Sequence, residues 1–236
     1  MPEPSFIQTS NLIKTYETPA GPLNVLRGID LKLAKGDFVA LVGPSGGGKT
    51  TFLNMITGVD KPTSGMVFVD GVDVANTGER KLTRWRGRTV GIVFQFFQLL
   101  PTLTVLENVM MPMHYCGTYR GQRRERAMEL LELVEVPETA DKYPSQISGG
   151  QQQRAAIARA LANDPKLIVG DEPTGNLDTV SAGLVFALFE DLVEGGKTII
   201  MVTHDRDLAG HIPRVEEVRN GQLVAPEEID RRLVAR

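Results

Sequence analysis

At 236 residues, with 42% hydrophobic and 23% charged, the chain can bury a sizeable core and carries too little charge for a disordered one. Its formal net charge of −3 gives no overall attraction to nucleic acid, and its single cysteine, Cys116, excludes an internal disulfide and fits a reducing compartment. No apolar run approaches the roughly 18 residues that span a bilayer. Met1-Pro2-Glu3-Pro4-Ser5 has neither the basic nor the apolar region of a signal peptide. The expectation is a cytosolic chain, attached to a membrane only through a partner.

Residues 6–33 alternate apolar and polar positions, which predicts antiparallel strands joined by a turn at Pro19-Ala20-Gly21-Pro22. Lys35-Gly36-Asp37 is a second turn, and Phe38–Val42 a short buried strand. The nine residues that follow, Gly43-Pro44-Ser45-Gly46-Gly47-Gly48-Lys49-Thr50-Thr51, fit the phosphate-loop spacing G-x-x-x-x-G-K-[ST]. The helix after them runs to Thr57, with Gly58 as its stop. Glycines let the backbone take φ > 0 and approach a ligand with no Cβ in the way, so that successive N–H groups form an anion nest at a helix N-terminus. Lys49 can reach the β/γ-phosphates and the Thr50 hydroxyl can ligate Mg²⁺.

Further along, Met66–Val69 and Val90–Phe94 are strand candidates, the latter ending at Gln95. Arg84, Arg86 and Arg88, then Arg120, Arg123, Arg124 and Arg126, form basic clusters. They read as solvated faces, with lipid head groups or an acidic partner as the alternative. From about 97 to 160 the pattern turns helical. Leu106 to His114 is a helix that Pro112 is expected to bend or end, and Ala127, Leu130, Leu131 and Val134 mark an amphipathic helix. Ser148 is a good N-cap for a helix over Ala155–Ala162, and Gly149 and Gly150 expose backbone N–H groups. This is a second helix N-terminus suited to phosphate. One nucleotide rarely needs two from one subunit, and sharing between two copies explains the pair.

Leu167–Gly170 and Thr198–Met201-Val202 are continuous apolar runs of the kind found in a covered parallel sheet, with a helix over Val180–Val193 between them. The first run delivers Asp171 and Glu172 to a strand's C-terminal end, where ligands sit in such sheets. Asp171 is placed to hold Mg²⁺ through water, and Glu172 to orient or deprotonate an attacking water. The fold class expected is α/β, a P-loop NTPase core with an antiparallel β subdomain and an inserted α-helical subdomain. Its boundaries read as one domain over 1–236, in which 1–95 and 161–236 are the core and 96–160 the insertion.

In their order, Gly43–Thr51, Gln95, Ser148–Gln151, Asp171-Glu172, Gly175-Asn176-Leu177-Asp178 and His204 make the chain resemble ABC-transporter ATPase subunits over almost its full length. The resemblance implies an ATP- and Mg²⁺-dependent ATPase that works as a head-to-tail homodimer around two ATP. It implies that Tyr16 stacks on adenine and that Gln95 senses Mg²⁺ and the attacking water. It implies that Ser148, Gly149, Gly150 and Gln151 meet the γ-phosphate held by the opposite subunit. Asp178 would cross the dimer interface and also cap a helix, and His204 would contact the γ-phosphate. Phe94–Val109, together with Lys14-Thr15-Tyr16 and Pro173–Asp178, is similar to the lipoprotein-release and macrolide-export group. A permease would then be contacted through residues 96–115, placing the chain peripherally on the cytoplasmic side of the inner membrane. Gly47 for Ser, Thr50 for Ser, Ile147 for Leu and Gly170 for Ala keep the chemistry, whereas Gln98 for Asn departs from the subgroup pattern. The cargo expected is a lipoprotein, lipid, peptide or drug. The alternative is an ATPase that drives a membrane complex controlling cell division or cell-wall hydrolases.

Overall fold

A computed structural model describes residues 5–224. In chain order the first elements are β1 (Ile7–Thr18), β2 (Gly21–Leu33), β3 (Phe38–Val42), α1 (Lys49–Thr57), β4 (Ser64–Val69), β5 (Val72–Asp73), α2 (Glu79–Thr89) and β6 (Val90–Phe94). Then come α3 (Val105–Cys116), α4 (Arg123–Leu133), α5 (Gly149–Leu161), β7 (Leu167–Asp171), α6 (Thr179–Glu194), β8 (Thr198–Val202), α7 (Arg206–His211), β9 (Arg214–Arg219) and β10 (Gln222–Leu223). Of the described residues, those up to Arg86 and from Ile200 form one compact unit, and Gly87–Ile199 form the other.

In the first unit, alternation at the start of β1 puts Ile7 and Thr9 inward, a register shift at Asn11 brings Leu12 inward too, and β1 pairs antiparallel with β2 from Ile7↔Leu33 to Thr18↔Gly21. The resulting four-stranded sheet has the order β2-β1-β4-β5. β3 is buried at all five positions, as its apolar run requires, and pairs parallel with β9, while β9 pairs antiparallel with β10. Phe52, Met55 and Ile56 of α1 are fully buried. At about 1.5–3 kcal/mol for each such side chain, that face fixes the helix that follows the phosphate loop.

In the second unit, β6 and β7 pair parallel from Val90↔Leu167 to Phe94↔Asp171. Between them in sequence, α3, α4 and α5 pack together through Val105, Val109, Met113, Ala127, Leu130, Leu131, Ile157 and Leu161. α3 does not end at Pro112. It runs on to Cys116 and closes on Gly117, whose N–H returns to His114 O and whose φ is 66°. Fully buried Met113, one residue past the proline, supplies packing that offsets the hydrogen bond Pro112 cannot make. No helix among the described residues is long and apolar enough to cross a membrane.

Candidate nucleotide site

The phosphate loop is built by contacts that only glycine permits. Gly43 sits at φ 134°, and a Cβ there would lie 2.1 Å from the carbonyl oxygen of Val218 on β9. A Cβ on Gly47 would lie 2.8 Å from the same oxygen, and the Gly47 carbonyl accepts from the Gly221 N–H. Gly48, at φ 107°, is the N-cap of α1 and gives it no side-chain cap, nor is any acidic residue in the first turn. By contrast Thr104, Ser148 and Asp178 cap α3, α5 and α6 with their side chains. α1 therefore starts with neither a side-chain cap nor an acidic residue at its positive dipole end, as suits a helix end that is to take an anion. Lys49, buried to 6% exposure, folds its ammonium back onto Gly43 O at 2.9 Å and Pro44 O at 3.0 Å. Pro44, Ser45, Gly46 and Thr50 are exposed on the rim, and Thr51 is half-buried.

Tyr16, on β1 in the same unit, is half-buried, and its hydroxyl donates to Asp60 Oδ2 at 2.8 Å. Burial and then that bond raise its pKa above the ordinary tyrosine value. For Asp60, burial pulls upward, but hydrogen bonds from Lys14, Tyr16 and the Lys61 N–H outweigh it and hold the carboxyl below its ordinary range. His204 is exposed in the turn after β8, between buried Thr203 and Asp205, which caps α7.

In the second unit the structure brings Gln95, Asp171 and Glu172 together. The last register pair of the β6–β7 ladder is Phe94↔Asp171, so Gln95 and Glu172 leave neighbouring parallel strands side by side. A Cβ on Gly175 would meet Gln95 Nε2 at 3.1 Å and Glu172 Oε2 at 3.5 Å. Glu172 holds φ at 52°, a left-handed conformation that costs a non-glycine residue roughly 1–3 kcal/mol and gathers at functional sites. Asn176 Nδ2 donates to Gln95 O at 3.0 Å. Fully buried Gln153 of α5 donates to Pro173 O at 2.5 Å and to Phe94 O at 3.4 Å.

The segment at the start of α5 forms a capping box: Ser148 Oγ accepts from the Gln151 N–H, and Gln151 Oε1 accepts from the Ser148 N–H. Gln151 Nε2 also donates to Glu138, so this side chain is occupied within its own subunit. Gly149 is exposed, and Gly150 lies so close to Ser181 that a Cβ would fall 2.6 Å from its hydroxyl oxygen. That hydroxyl donates to Asp178 Oδ2 at 2.7 Å, which joins the two helix starts in one chain. Asp178 is lowered in pKa by the Ser181 N–H first and the Ser181 hydroxyl second.

Thr50, Gln95 and Asp171 offer oxygen donors only. Among the described residues no group of three or more His, Cys, Asp or Glu side chains could hold a metal. Within the second unit, Gln95 and Asp171 end neighbouring strands, and such hard oxygen donors are of the kind that Mg²⁺ takes alongside waters and phosphate oxygens.

Several contributors were not legible as functional in the sequence. Asp60 and Lys14 meet only through the β1 sheet, and Gln153 is one of three consecutive glutamines. Arg159 is a fourth contributor. Its guanidinium, lowered in pKa by burial, donates to Phe97 O at 2.8 Å and to Gln98 O, two residues in left-handed conformation after Gln95. A polar residue on the buried face of α5 was the available signal.

A family model described as ABC transporter matches residues 26–175. The lipoprotein-releasing system ATP-binding protein LolD of Hyphomonas neptunium is 43% identical over 212 residues, 89% of this chain and 93% of that protein. The macrolide export ATP-binding/permease protein MacB of Syntrophobacter fumaroxidans is 47% identical over 224 residues, 94% of this chain but 31% of that protein. Among solved structures, the ATP-binding cassette MJ0796, dimeric in a post-hydrolysis state with ADP and Pi, superposes with a TM-score of 0.86. It is 40% identical, and the match covers 93% of this chain and 97% of that one.

Proposed function

Because this chain belongs to the ABC transporter family, as an ATP-binding and ATP-hydrolysing subunit, we propose that Glu172 is its general base and that each ATP is shared between two copies. The observation that carries this reading is the pairing of Phe94 with Asp171, which sets Gln95 beside Glu172, with Glu172 held in a left-handed conformation. In this reading Lys49 and the amides of Gly43–Thr51 hold the phosphates. Glu172 takes a proton from water as it attacks the γ-phosphorus, and the bond to the bridging oxygen breaks to release ADP. His204 steadies the γ-phosphate and Tyr16 stacks on adenine. Thr50, Gln95 and Asp171 would hold Mg²⁺, whose charge offsets that developing on the phosphates.

Residues 1–95 and 161–236 then serve as the nucleotide-binding core, and 96–160 as the helical subdomain. Ser148, Gly149, Gly150 and Gln151 of a second copy complete the phosphate shell, and Asp178 lies at the dimer interface. The permease is contacted through 96–115, where Phe96 is 67% and Tyr115 83% exposed, apolar area that a partner would cover. The chain would so be peripheral on the cytoplasmic side of the membrane, driving export or extraction of a lipoprotein, lipid, peptide or drug.

The test is Glu172→Gln. Turnover should fall at least about 100-fold, the usual worth of a general base, while ATP affinity is kept. Hydrolysis near the wild-type rate would remove Glu172 from that role.

A further inference from the structure

We propose that Asp60 is a positioning residue for the nucleotide base, fixing Tyr16 as a one-faced stacking platform at a set distance from the phosphate loop. This rests on the reading that Tyr16 stacks on adenine. An aromatic platform helps binding most when its plane is set beforehand, since a ring free to rotate must be ordered at the moment of binding.

Here the ring is fixed in two ways. Its hydroxyl donates to Asp60 Oδ2 at 2.8 Å, which sets its direction in the plane. The Lys14 ammonium sits over the ring, 4.7 Å from its centroid, and so covers one face; a stacked base would take the other. Asp60 holds both partners, because the same ammonium is 2.8 Å from its carboxylate oxygens and also donates to Lys61 O at 2.7 Å.

Asp60 is itself immobilised. Its Oδ1 accepts from the Lys61 N–H at 2.7 Å, and its own N–H donates to Asn54 O in the last turn of α1 at 3.1 Å. α1 begins at Lys49, directly after the loop glycines. Asp60 thereby ties the platform for the base to the far end of the helix whose near end faces the phosphates.

The experiment compares affinities for ATP and for inorganic tripolyphosphate, the latter by competition, on the full-length chain. Asp60→Ala and Tyr16→Phe should each weaken ATP about three- to tenfold, the net worth of one such hydrogen bond, and leave tripolyphosphate unchanged. Asp60→Asn, which retains an acceptor for the Tyr16 hydroxyl, should keep most of the ATP affinity. In a Tyr16→Ala background, Asp60→Ala should cost nothing further. Equal losses for ATP and tripolyphosphate, or an undiminished Asp60→Ala loss in the Tyr16→Ala background, would show a merely structural carboxylate and overturn the proposal. So would unchanged ATP affinity in Asp60→Ala where Tyr16→Ala weakens it. Unchanged affinity in Tyr16→Ala itself would instead remove the stacking reading on which the proposal stands.

Discussion

Replacing Gly43 by alanine separates a glycine needed for its space from one needed only for its dihedrals. At Gly43 the new methyl would lie 2.1 Å from Val218 O and 3.1 Å from Val218 C, with φ at 134°. An ordinary carbon–oxygen contact is more than an ångström longer, so β9 must shift. β9 is held to β3 by a ladder that includes Val42↔Glu217, the pair beside the clash. Adding backbone strain of about 1–2 kcal/mol to one or two displaced ladder bonds at about 1 kcal/mol each gives a loss of about 2–4 kcal/mol. For a chain of this size that is a Tm lower by about 10 °C. Gly46 has a similarly positive φ of 75° but nothing within 4 Å of its would-be Cβ. Gly46→Ala should therefore cost only the strain, about 1 kcal/mol and about 3 °C. Thermal unfolding followed by circular dichroism reads both. Equal drops in the two variants would refute the view that the loop is seated under the Val218 carbonyl.

Two further outcomes are expected. Asp60 has a lowered folded pKa, so its contribution to stability is complete above the ordinary carboxylate value of 3.8 and is lost as pH falls through the lower folded value. Denaturant midpoints of the wild type and Asp60→Asn should therefore differ at pH 7 and converge below pH 3.8, and a gap that persists in acid would contradict this. With ATP present, Glu172→Gln should accumulate a species of twice the 25.8 kDa chain mass in light scattering. ATP-loaded protein that stays at the single-chain mass would count against nucleotide-driven pairing.

Much of the site was legible because its local chemistry is redundant. The phosphate loop follows an apolar strand and opens a helix, Ser148 and Asp178 cap the helices that their hydroxyl and carboxylate announce, and Asp171 ends an apolar run. What escaped reading lacked such a signal. α2 buries only Leu82 and Thr89 among eleven residues rich in arginine, so no apolar face recurs at helical spacing. Its Arg86 is nonetheless tied to Gly58 O rather than simply solvated. β9 reads Arg-Val-Glu-Glu-Val-Arg, too charged for a covered strand. Its glutamates are accommodated because Arg214 pairs with Glu216 at 2.7 Å and Arg219 with Glu217 at 2.6 Å, each two residues apart on one strand. The Asp60–Tyr16 and Gly43–Val218 approaches join residues 44 and 175 positions apart, respectively, and only tertiary structure reveals them.

The shared site is tested most directly by mixing two inactive variants. Ser148→Arg spoils the segment offered to the opposite copy and leaves its own phosphate loop intact, whereas Lys49→Ala does the reverse. Random pairing makes half the dimers mixed, each with one intact site, so the mixture should recover up to about a quarter of the wild-type sites. ATP turnover in the mixture well above that of either variant alone is the predicted result. A mixture as inactive as its components, with both variants folded and Ser148→Arg still binding ATP, would contradict a nucleotide held between two copies.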